Sequence, residues 1–221
     1  MEPRPLPFDV IFLDNHLIVV NKPAGLLIQG DKTGDVTLFE TVQLYLKERF
    51  DKPGNVYLGL VHRLDRPVSG TVVLARTSKA ASRLSNQFRT KSVKKRYRAL
   101  VKGKTPESAV LKDRILRKGS SSVITRTKDG QEAVLSYTRI ACEKGMSLLE
   151  VDLESGRHHQ IRVQLANAGF PIIGDFRYGS KKAFPERSIA LHAYSICIVH
   201  PVKRESMVFR SRPTLHWPVW I

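Results

Sequence analysis

Apolar and polar positions change rhythm along this chain, and the changes divide it into short segments. Residues 10–20 hold two apolar runs, Val10-Ile11-Phe12-Leu13 and Leu17-Ile18-Val19-Val20, on either side of the turn formers Asp14-Asn15, which predicts a β-hairpin. Asn21-Lys22-Pro23-Ala24-Gly25 ends the second strand. From Thr37, a capping residue, Leu38, Val42, Tyr45 and Leu46 recur at helical spacing and predict a helix to about Phe50, stopped by Asp51-Lys52-Pro53-Gly54. Apolar runs flank the loop around Asp65 and read as buried strands, the second over residues 72–76. Thr77-Ser78 then caps a helix with Leu84 and Phe88 on one face.

Residues 94–103 alternate toward their end and read as a strand, with Tyr97 set among cations. Residues 105–131 are polar and basic, with Arg114, Arg117, Lys118, Arg126 and Lys128, and read as a mobile hairpin or excursion. Strands are predicted at 133–142 and 147–153, a helix at 157–168 ended by Gly169, and final strands at 189–199 and 208–211. Strand signals outnumber helices and cluster in hairpins, so the fold class is α+β with a mixed, mostly antiparallel sheet and flanking helices. No repeat or linker interrupts the chain. One catalytic domain over residues 1–221 is expected, with residues 1–8 as a loose lead-in.

Charge narrows the function. Among 221 residues, 37 Lys and Arg stand against 20 Asp and Glu, a net charge of +17. With a pI near 10.2, the chain carries the electrostatic footprint of a nucleic-acid-binding protein. No apolar run is long enough to span a bilayer, and the first residues lack the apolar core of a secretory signal. A cytoplasmic protein with no membrane partner is expected. Cys142 and Cys197 sit in apolar runs and read as buried, reduced thiols. The histidines show no metal-ligand spacing, so no metal is expected.

The candidate chemistry centres on His62-Arg63-Leu64-Asp65-Arg66-Pro67, an acid between two arginines in a turn. Turn capping is the ordinary role of such an aspartate. Arginines close by hold a carboxylate ionised at neutral pH, and an ionised acid can attack an electrophilic carbon. His-Arg-Leu-Asp is superficially like a kinase catalytic loop, but no Gly-rich phosphate loop accompanies it. Tyr97 between Arg96 and Arg98 has the composition of a stacking and phosphate-contacting element. Gly156-Arg157-His158-His159-Gln160-Ile161-Arg162 brings cations and an amide to a helix start, the composition of a phosphate-binding corner. Leu191-His192-Ala193 reads as core.

Taken in order, these segments resemble the RluA family of RNA pseudouridine synthases. The resemblance rests on Asp14 to Gly25, Val61 to Asp65 with Ser69-Gly70, Lys95 to Gly103, Gly156 to Ala166, Gly174-Asp175-Phe176-Arg177-Tyr178-Gly179 and Leu191-His192-Ala193, and covers essentially the whole chain. It implies a pseudouridine synthase catalytic fold with a central basic cleft, no cofactor, and isomerisation of uridine in tRNA or large-subunit rRNA. It carries Asp65 over as the catalytic aspartate, Tyr97 as the ring beside the target uracil and Arg162 as the aspartate's partner. Arg63 matches the arginine that enters the space left by the extruded base, and Leu191 an apolar wall of the uracil pocket. His62, Arg66, Arg157, His159 and Gln160 are the remaining candidate substrate contacts.

Val68 stands where Thr or Ala is usual, and His158 where Thr is usual. The chain opens directly on the first family block, so RNA affinity is expected from the catalytic domain's own charge rather than from an S4-type domain. A monomer without an obligate protein partner is expected. The rival reading is a non-catalytic RNA-binding or ribosome-assembly protein on the same fold.

Overall fold

The expected first hairpin forms as β1 (Asp9–Leu13) and β2 (Leu17–Lys22), paired antiparallel. Its turn is built by Asp14, whose Oδ1 accepts the backbone N–H groups of His16 and Leu17, both at 2.8 Å. The computed structural model describes residues 6–31, 33–213 and 217, so residues 1–5 of the expected lead-in lie outside the described part. Phe8, assigned to that lead-in, is instead buried and packs edge-on against Tyr45 at 6.0 Å.

The contacts divide the chain into two units, residues 1–93 with 195–212, and residues 94–194 with 213–221. In the first, α1 (Leu38–Arg49) carries a capping box: Thr37 Oγ1 accepts the Glu40 N–H at 3.2 Å and Glu40 Oε2 accepts the Thr37 N–H at 2.9 Å. Its predicted apolar stripe buries Leu38, Val42 and Leu46. The apolar run before Asp65 yields only the two-residue β3 (Gly59–Leu60), while the run after it becomes β4 (Ser69–Ala75), which pairs antiparallel with both β2 and β3. Every residue of β4 is buried. A strand covered on both faces needs a continuous apolar run rather than alternation, and Val72-Val73-Leu74-Ala75 supplies it. Thr77 caps α2 (Ser78–Arg89) through its hydroxyl, which accepts the Ala80 N–H at 3.2 Å.

The second unit holds an antiparallel sheet of β5 (Lys94–Lys102), β6 (Ser108–Lys118), β7 (Ser121–Thr125), β8 (Gln131–Glu143) and β9 (Met146–Leu153), in the order β5-β9-β8-β6-β7. Residues 105–131 are thus largely sheet. Of the two readings of that segment, the hairpin is the one that forms, because Ile115 and Ile124 stand opposite one another across β6 and β7 and join one apolar cluster. Helix α3 is shorter than expected, Gln160–Asn167 rather than 157–168. His159 adopts a left-handed conformation, φ 55°, and breaks helical geometry just before it. Gly169, with φ 87°, follows the helix end as expected.

The last strands are β10 (Leu191–Val199), which begins in the second unit and ends in the first, and β11 (Ser206–Arg210). Ile196, Ile198 and Phe209 complete a core in the first unit with Leu17, Val19, Val73, Ala80 and Leu84. The two thiols are free, as expected, but not buried: Cys142 is exposed and Cys197 half-buried. Cys142 lies where the end of β8 runs past its core-facing residues, beyond a register shift at Arg139/Ala141.

Candidate active site

The turn that carries Asp65 is clasped from both ends. Val68 N–H donates to the Asp65 carbonyl at 3.0 Å and closes the turn itself. The next carbonyl, of Arg66, accepts the Gly25 N–H at 2.8 Å and Lys22 Nζ at 3.3 Å, while Arg66 Nε donates back to the Gly25 carbonyl at 2.9 Å. Lys22 is wholly buried, and its Nζ also donates to the carbonyls of Pro23 and Leu26, each at 2.8 Å. An ammonium has three donors, the number needed for three carbonyls. Burial pulls its pKa down to about 7, opposed by the Asp65 carboxylate and reinforced by the Arg66 guanidinium. The break after β2 is therefore the anchor of the Asp65 turn.

Beside the half-buried Asp65, the Arg63 side chain is exposed and makes no hydrogen bond or ion pair among the described residues. Arg66 pairs instead with Asp35 at 2.7 Å. His62 holds the framework together, since its Nε2 accepts the Val73 N–H at 2.9 Å and its ring stacks on Phe88 with centroids 4.9 Å apart.

In the second unit, α3 presents Arg162 to Asp175. Nε donates to Oδ2 at 2.7 Å and Nη2 to Oδ1 at 2.9 Å, a two-pronged ion pair with side chains only 6% and 1% exposed. The Arg162 guanidinium also lies 5.1 Å from the Tyr178 ring centroid. Gly174 supplies the left-handed backbone, φ 87°, that turns Asp175 inward; a Cβ there would lie 2.5 Å from the Ser188 carbonyl oxygen. The Tyr178 hydroxyl accepts the Ser122 N–H at 2.8 Å and meets His159 Nδ1 at 2.7 Å. Burial raises its pKa, so it stays a phenol able to donate to that nitrogen.

Residues 16–167 match the family model described as RNA pseudouridylate synthase. The chain belongs to the RNA pseudouridylate synthases. It is 35% identical to "Ribosomal large subunit pseudouridine synthase D" of Zymomonas mobilis over 94% of its length and 70% of that protein's. It is 32% identical to "Uncharacterized RNA pseudouridine synthase YlyB" of Bacillus subtilis, with the same two coverages, 94% and 70%. Among solved structures, "Human RNA Pseudouridylate Synthase Domain Containing 4" superposes with a TM-score of 0.79 at 23% identity, over 94% of this chain and 89% of that one. That likeness supports the expected α+β synthase fold.

Several residues expected at the substrate make bonds within the protein. Arg96 and Arg98 flank Tyr97 in sequence but alternate to the other face of β5. There, Arg96 Nε meets Asp152 at 2.9 Å and Arg98 Nη2 meets Glu150 at 3.0 Å, so both cations flanking Tyr97 pair with carboxylates of β9. Half-buried Tyr97 shares its face with Lys95, whose pKa burial lowers. Gln160, expected at a phosphate corner, is buried: Oε1 accepts Ser155 Oγ at 2.9 Å and the Arg157 N–H at 3.1 Å, and Nε2 donates to the Val134 carbonyl at 3.1 Å. Arg157 Nε donates to the Glu132 carbonyl at 3.0 Å, and His159 stacks on His158 at 3.8 Å.

Leu191 is buried at the start of β10, and His192 packs against Trp217. Sequence reasoning missed two residues outright, Lys22 and Asp175. A lysine closing an apolar strand before Pro-Ala-Gly signals the first, since the turn's carbonyls need donors. Nothing local signals that Asp175 takes Arg162. Among the described residues, no three His, Cys, Asp or Glu side chains are placed to hold a metal ion.

Proposed function

We propose that this synthase converts specific uridines of structured RNA to pseudouridine with Asp65 as the catalytic carboxylate. Large-subunit ribosomal RNA is the favoured substrate, in keeping with the names of the relatives, and tRNA the alternative. The observation that carries the reading is the carboxylate on a clasped turn beside an uncommitted guanidinium: a fixed anion next to a cation free to meet RNA.

The reaction breaks the C1′–N1 bond of the nucleotide, turns the uracil and joins C1′ to C5. C5 loses its proton and N1 gains one, so nothing is oxidised and no co-reactant is consumed. Asp65 serves either by adding to C1′ or by taking a sugar proton to give a glycal. The uridine must first leave its stack, at a few kcal/mol in a duplex and less in a loop. Stacking against Tyr97 returns about 1–3 kcal/mol, and Arg63 fills the vacated space. Arg162 serves the aspartate as its cation, and Leu191 walls the uracil. The net charge of +17 supplies the attraction for the RNA backbone.

The test is tritium release from [5-³H]uridine-labelled RNA of cells that lack the gene, since tritium leaves only when C5 is rejoined. The native chain is expected to release tritium, and Asp65→Asn to lose at least about a thousandfold in rate while binding the same RNA within about threefold. Undiminished release by Asp65→Asn overturns the assignment.

A further inference from the structure

The Gly174–Gly179 turn points its residues in two directions. Asp175 and Tyr178 face inward, to Arg162 and to Ser122 with His159. Phe176 faces outward, with 63% of its surface exposed, and makes no ring contact among the described residues. A lone exposed aromatic is ordinary on a protein surface. This one is not alone and not loose. Its carbonyl accepts the Gly179 N–H at 3.4 Å, its N–H donates to the Gly174 carbonyl at 3.0 Å, and Ser180 N–H closes the turn onto the Asp175 carbonyl at 3.0 Å.

The neighbouring Arg177, also exposed, reaches the β6–β7 turn, where Nη1 donates to the carbonyl and, at 3.1 Å, the hydroxyl of Ser120. Arg117 and Lys118 are exposed at the end of β6 just before that turn, and Lys181 and Lys182 follow Gly179-Ser180, likewise exposed. An apolar ring on a fixed turn therefore belongs to a segment with exposed cations before and after it and directly follows the carboxylate that holds Arg162. A flat apolar face with phosphate-binding charge around it suits an unpaired base on its sugar-phosphate strand.

We infer that Phe176 is a stacking platform for an unpaired base flanking the target uridine, with Arg177 and the β6–β7 turn holding that nucleotide's phosphates. This extends the isomerase reading, on which its place beside the target rests. Replacing the ring separates a stacking role from a structural one, because an exposed side chain can be changed without opening a core. In tritium release from the labelled RNA, Phe176→Ala and Phe176→Leu are each expected to raise KM about 5- to 50-fold with kcat within about twofold, while Phe176→Trp stays at or below the native KM.

Fluorescence anisotropy with a labelled 12-nucleotide oligouridylate, on the full chain, should show the same order of affinities without any turnover. Equal KM and equal oligouridylate affinity for Ala, Leu and Phe at position 176, or a Trp variant as weak as Ala, overturns the proposal. Failure of Asp65 as the catalytic group leaves the anisotropy order untouched, so the two readings fall separately.

Discussion

Asp175→Asn should be among the most damaging conservative changes in this protein. The Arg162 and Asp175 side chains are 6% and 1% exposed and joined by two short bonds. The substitution keeps size and one oxygen acceptor but removes the negative charge, and it turns the second acceptor into an amide that faces a guanidinium. Breaking a buried ion pair from one side costs about 3–5 kcal/mol, since the remaining ion stays out of water with that carboxylate's charge removed. For a chain of this size each kcal/mol moves Tm by roughly 2–4 °C, so a fall of about 6–20 °C is expected. Urea denaturation and calorimetry of the native protein, Asp175→Asn, Arg162→Gln and the double variant give the coupling directly. The double variant should be less destabilised than the sum of the singles by at least about 1.5 kcal/mol. A loss below about 1 kcal/mol for Asp175→Asn, or a coupling near zero, refutes the reasoning.

Two further outcomes follow from the geometry. Because burial depresses the Lys22 pKa from 10.5 to about 7, the unfolded chain holds a proton that the folded chain lacks between those values. Stability should therefore rise with pH above about 7, by at most about 1.4 kcal/mol per pH unit from this group, and be flat in this contribution below. Urea midpoints across pH 6–9.5 should show that rise in the native protein and its loss in Lys22→Met; parallel profiles contradict it. Gly174→Ala places a methyl 2.5 Å from the Ser188 carbonyl oxygen and 2.6 Å from Phe184 Cβ in a left-handed backbone, so thermal unfolding should fall by several degrees and tritium release should drop with it. A variant with native Tm and turnover rules that out.

Local chemistry made most of the framework readable. Asp14-Asn15 between apolar runs, Thr37 with Glu40, and Thr77 before an amphipathic run each became the element they announce, because hairpin turns and N-caps are decided within four residues. The Asp65 turn was equally plain as a turn. The roles of polar side chains were not readable, since their partners are distant in sequence. Gln160 meets Val134, Arg96 meets Asp152, and Arg162 meets Asp175, and only strand pairing and helix docking bring these together. The thiol of Cys142 was misjudged for a related reason: apolar character along β8 continues past the point where anything covers it.

The bond from the Ser122 amide to the Tyr178 hydroxyl ties strand register to the ring that lies against the Arg162 guanidinium. Because side chains and amides alternate along a strand, sliding β7 by a single position against β6 would carry that donor to the opposite side and replace it with a neighbour that points away. The phase of that ladder is thus fixed from outside the sheet, and a single residue inserted in 121–125 keeps the bond only where a bulge absorbs it before the donor.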